Sequence, residues 1–176
     1  MMNSITYAYQ GTTKDKDTVN SIVESIKNLG VLGMASQPVG KTIELSSSQF
    51  AFAQKRFSLA QAQSLTDFRF SSSSTSPRIS LPASTFSSVT DQNKLASVDV
   101  AIINYAGENP LGYSNSITNQ TGNAVDFYIL DATSSVIPIS NLPANSPITF
   151  EIYSTSVENE NTTACRFFSK TEDKFV

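Results

Sequence analysis

The sequence predicts a mainly β fold, a β-sandwich preceded by a short helical lead in an α+β arrangement. Three observations predict it. Apolar residues recur at strong helical spacing only near the start, in the stripe Val19, Ile22, Val23, Ile26 and Leu29. From Pro38-Val39-Gly40 onward the period falls to two, and short alternating runs are separated by long polar loops without interleaved helices. Charged residues are 15% of the 176 and apolar residues 39%, with Ser, Thr and Asn filling the difference. Such a surface is usual for secreted or ectodomain β-rich modules. The expected division is a helical lead over 1–37 and a sandwich over 38–176.

Within the lead, Met2, Ile5 and Tyr9 recur at helical spacing, and Gly11 suits the end of a first short helix. Thr12 to Asp17 reads as a polar turn. Asp17 or Thr18 can cap the next helix by accepting a backbone N–H bond. Lys27 lies near the end of its stripe, where positive charge suits the helix dipole, and Gly30 is the expected stop.

The strands follow in order. Ile43 and Leu45 alternate with polar residues. Phe50 and Phe52 fall on one face of the next run, with Ala51 and Ala53 on the other. Ser71 to Ser76 is a low-complexity loop closed by Pro77. Ile79-Ser80-Leu81 is a short strand ended by Pro82, which cannot donate to a central ladder. Val98, Val100 and Ile102 line one face of a longer strand whose other face carries Asp99, Ala101, Ile103 and Tyr105. Gly107, Asn109, Pro110 and Gly112 mark a loop. Val125, Phe127 and Ile129 line the next strand, opposed by Asp126, Tyr128 and Leu130. Val136-Ile137-Pro138-Ile139 is short and interrupted by proline. Ile148, Phe150 and Ile152 line a last strand and are expected in the core, opposed by Thr149, Glu151 and Tyr153. There is no internal repeat.

The composition removes several classes of function. A net charge of -3 offers no electrostatic case for nucleic acid or an anionic membrane. No apolar run reaches the ~18 residues that span a bilayer. Met1-Met2 opens no recognisable signal peptide, so any secretory signal is expected upstream. The absence of histidine removes Ser-His and Cys-His catalysis and the commonest zinc ligand. A single cysteine excludes a CxxC metal site, and Gly30-Val31-Leu32-Gly33 is too sparse for a phosphate loop. The remaining enzymatic route is a pair of carboxylates. Asp99 and Asp126 sit mid-strand opposite the main apolar stripes and Asp131 ends a strand; a solvated outer face accounts for all three. No catalytic residue, cofactor or metal is expected.

Two N-glycosylation sequons occur, at Asn119 and Asn161. They are no enrichment over chance for this composition, but both fall in expected loops. Cys165 has two open readings: a buried inert thiol, or half of a disulfide whose partner lies outside the segment.

The order of these features resembles the GAIN domain of polycystins and receptor-for-egg-jelly proteins, a helical subdomain followed by a β-sandwich that ends in the GPS motif. Val19 to Leu29 stands where the helical part ends. Ile79-Ser80-Leu81-Pro82 with Phe86 is similar to a family strand and turn. Val98 to Tyr105 with Asn109-Pro110-Leu111-Gly112-Tyr113 resembles a strand and loop seen in polycystins. Ile137-Pro138-Ile139, Asn141-Leu142 and Pro147-Ile148 resemble the approach to the GPS strand. Cys165, Phe167, Phe168, Ser169 and Phe175 resemble the opening of GPS, with Phe175 where tryptophan is usual. The likeness extends over roughly 15–176, and its weight lies in the order of the motifs.

The resemblance implies a non-catalytic extracellular module of a polycystin-type membrane protein, on the outer face of a plasma or ciliary membrane. It would clamp the GPS strand and relay ligand or force to the membrane part. Its partners would be the rest of the parent protein, above all the downstream GPS strand, and other ectodomains. The later GPS cysteines and the His-Leu-Ser/Thr cleavage tripeptide are absent, so this segment is not expected to cleave itself. By resemblance, Cys165 would pair with a GPS cysteine beyond Val176. The alternative is a generic secreted adhesion or carbohydrate-binding sandwich. With no tryptophan, its sugar platforms would be Tyr113, Tyr128 and Tyr153.

Overall fold

The structure, a computed structural model, describes residues 16–47, 50–69, 77–82, 84–86, 96–105, 124–139, 142, 145, 147–152, 168–169 and 174–175. The expected helix over Met2 to Tyr9, the Ser71 to Ser76 loop and the Gly107 to Gly112 loop lie outside these residues. So do Tyr113, Asn119, Tyr153, Asn161 and Cys165.

Among the described residues the fold is mainly β with one long helix. Helix α1, Lys16–Met34, is followed by strands β1, Thr42–Ser46, and β2, Phe50–Ser58. A single-turn helix α2, Leu59–Gln63, leads to β3, Asp67–Arg69, and β4, Arg78–Ser80. Then come β5, Ser97–Tyr105, β6, Ala124–Asp131, and β7, Thr149–Glu151. Two-residue strands β8, Phe168–Ser169, and β9, Lys174–Phe175, pair with each other.

One antiparallel sheet has the order β1-β2-β5-β6 and a second the order β3-β4-β7. Residues opposite one another in register share a face, so pairing sorts the four-stranded sheet into two sides. Val98, Val100 and Ile102 share one side with Ala53, Phe57 and Ile129, and there pack with Phe68 and Ile79 of the second sheet. Phe50, Phe52, Ala101, Ile103, Tyr105, Tyr128 and Leu130 share the other, and Ile22, Val23 and Ile26 of α1 pack on them. The larger sheet is therefore an inner layer, with the helix on one face and the second sheet on the other.

Three sequence expectations are corrected. Gly30 does not stop the helix, which runs on to Met34. A Cβ on Gly30 would lie 2.3 Å from Phe52 Cζ and 2.5 Å from Gln54 Oε1. Glycine thus serves here as a notch that lets helix and sheet close up, and its packing gain outweighs its poor helix propensity. The positive-φ turn is made later, by Gly40 at φ +89°, whose N–H donates to Arg56 O at 2.8 Å.

The second correction concerns the last strand. Thr149–Glu151 pairs only with β4 among the described residues and has no buried member. Phe150 is 47% and Ile152 41% exposed, and Ile148 is half-buried. The apolar alternation is real, and Phe150 meets Phe127 edge-on with centroids 6.2 Å apart. Its position at the sheet's margin leaves the rest of the ring open, because strand period alone does not say how much lies opposite.

The third concerns the side of the larger sheet that carries Asp99. It is not a solvated outer face: α1 covers it.

Candidate functional site

Asp99 is 1% exposed on the helix-covered face of β5. Its register partner is Arg56 on β2. Arg56 Nε donates to Asp99 Oδ1 at 2.7 Å and Nη2 donates to Oδ2 at 2.9 Å, a two-pronged match of guanidinium and carboxylate. Gln54, two residues along β2 on the same face, donates from Nε2 to Oδ2 at 3.0 Å. Arg56 Nη1 donates to Gln37 O at 2.9 Å, tying the turn after α1 onto the sheet. The hydrogen bond to Asp99 raises the Arg56 pKa, against the lowering by burial, and the carboxylate charge adds to the rise.

Asp126 lies on the same face of β6, opposite Ile103. Its Oδ2 accepts from Tyr128 Oη at 2.6 Å and from Tyr105 Oη at 3.4 Å. Burial pushes the Tyr128 phenol far above its ordinary 10.0, and the charge of Asp126 adds to this. Lys27 of α1 lies over the Tyr128 ring, 4.3 Å from its centroid, and pairs with Glu24 at 2.8 Å. Tyr128 is therefore a buried packing residue, not an open sugar platform.

Asp131 ends β6 opposite Val98, on the face away from Asp99. Its Oδ1 accepts from Thr133 N at 2.8 Å, Thr133 Oγ1 at 2.7 Å and Ser135 N at 2.9 Å. The carboxylate builds the turn that places Ser134 at φ 69°. Burial raises its pKa, but these three bonds outweigh burial and hold it below the ordinary 3.8.

The structure does not bring the three carboxylates together. Asp126 sits opposite Ile103, four positions along β5 from Asp99, a separation of about 13 Å at strand rise. A glycosidase pair needs roughly 5–9.5 Å. Asp131 points to the opposite face. Among the described residues no group of three or more His, Cys, Asp or Glu could hold a metal ion. Among the same residues no helix is long and apolar enough to cross a membrane.

Two signals in the sequence point to features the strand periodicity does not reveal. Gln54 and Arg56 continue the Phe50 and Phe52 face, so a buried carboxylate on the neighbouring strand was their natural partner. Ser58-Leu59-Ala60-Gln61 is a capping box: Gln61 N donates to Ser58 Oγ at 3.2 Å and Ser58 N donates to Gln61 Oε1 at 3.0 Å. It starts α2 at the end of β2.

A shallow mouth opens between β1 and β3. It is lined by Thr42, Glu44, Lys55, Phe57, Phe68 and Arg69. Opposite Lys55 and Ala53 in register, Thr42 and Glu44 present an exposed polar wall to it.

No protein-family model matches the chain, and a search of curated proteins returns no match.

Proposed function

We propose that this chain is a non-catalytic structural module of a larger extracellular protein, holding neighbouring polypeptide in place. One observation carries the non-catalytic part of the reading, the extracellular part resting on the low-charge, Ser-, Thr- and Asn-rich composition: each carboxylate singled out as a catalytic candidate is spent in bonds that hold the fold. Asp99 binds Arg56 and Gln54, Asp126 binds two phenols, and Asp131 forms a turn. Prolonged incubation of the purified, protease-free chain should leave a single 19.0 kDa band on a denaturing gel. Two stoichiometric fragments would overturn the reading.

The narrower form of the proposal is a GAIN-like module of a polycystin-type protein on the extracellular face of a membrane, clamping a GPS strand. The helix lying on a two-sheet β structure supports it. The exposure of Phe150 and Ile152 counts against it, since the likeness used that strand as a core strand leading into GPS. Its test is Cys165. In a C-terminally extended chain prepared under oxidising conditions, mass spectrometry should find Cys165 bridged to a downstream cysteine. A free Cys165 there would remove the GAIN-like form and leave the broader one standing. The carbohydrate-binding alternative loses Tyr128, which is buried beneath Lys27.

A further inference from the structure

We draw no further inference here: the strongest candidate, the shallow mouth between the outer strands β1 and β3 lined by Thr42, Glu44, Lys55, Phe57, Phe68 and Arg69, has a polar wall on its β1 side, and nothing in the structure shows what covers it.

Discussion

Arg56 and Asp99 face each other directly across β2 and β5, joined by two hydrogen bonds of 2.7 and 2.9 Å on the face of the sheet that carries helix α1. A one-residue slip between these strands would move one charge to the opposite face and leave the other buried alone. The pair therefore favours a single register, and through Gln37 O it also fixes the end of the helix over the sheet.

Breaking this pair is costlier than replacing it. Asp99→Ala leaves the partly buried Arg56 guanidinium without its carboxylate and is expected to cost about 3 kcal/mol in urea denaturation. Arg56→Met combined with Asp99→Leu should lose less than the sum of the two single changes. Strict additivity in that cycle would show that the two side chains are not coupled.

The glycine notch gives a graded test. Gly30→Ala drives a methyl against the Phe52 ring and should destabilise by about 1–3 kcal/mol, despite the roughly 1 kcal/mol alanine gains in helix propensity. At Gly33 the nearest atom is Ile43 Cδ1 at 2.7 Å, the free end of a flexible chain. Gly33→Ala should therefore cost clearly less. Equal thermal midpoints for both variants would contradict the close approach at Gly30.

Exposure should separate two phenylalanines. Phe52→Ala, on the fully covered face, is expected to cost about 3–5 kcal/mol. Phe150→Ala, at the margin, should cost about 1 kcal/mol. A loss at Phe150 as large as that at Phe52 would mean that Phe150 is buried as the strand alternation suggested.

Stability should fall at both ends of the pH range, for different groups. The depressed Asp131 carboxyl contributes stability above its unfolded value near 3.8, and this is lost as pH falls through the lower folded value. Asp131→Asn should flatten that acid limb. The raised Tyr128 phenol contributes fully below its ordinary 10.0, and its contribution is lost as pH rises from there toward the higher folded value. Tyr128→Phe should flatten the alkaline limb in denaturation curves. Unchanged limbs in either variant would refute the corresponding assignment.

The capping box predicts a local effect. Ser58→Ala removes an acceptor from α2 and should cost about 1 kcal/mol by chemical denaturation. Ser58→Asp, which can still accept from Gln61 N, should recover most of it. A Ser58→Ala chain as stable as the parent would show that the cap contributes nothing.

The parts legible in the sequence were those set by local periodicity. Ile22, Val23 and Ile26 share a buried helix face, and β5 separates Val98, Val100 and Ile102 from Asp99, Ala101, Ile103 and Tyr105 as alternation required. The candidate site was legible only in part: Asp99 was singled out but assigned to a solvated face, and although Arg56 continues the Phe50 and Phe52 face, no local pattern pairs it with a carboxylate 43 residues away. Short β3 lacked the length to show a period, and Gly30 carried the composition of a stop signal while serving as a contact surface.

By itself, then, the sequence determined the fold class, the faces of the longest strands and the apolar face of helix α1, because side-chain direction follows from the repeat of the backbone. Tertiary structure alone decided what lies opposite each face. Docking α1 on the larger sheet turned an expected solvated side into a core, so Asp99 had to take Arg56 and Gln54 in place of water. Placing Thr149–Glu151 at the margin of the smaller sheet did the reverse for Phe150 and Ile152. Periodicity says that a residue points to one side of a strand; only the packing of another layer removes water from that side.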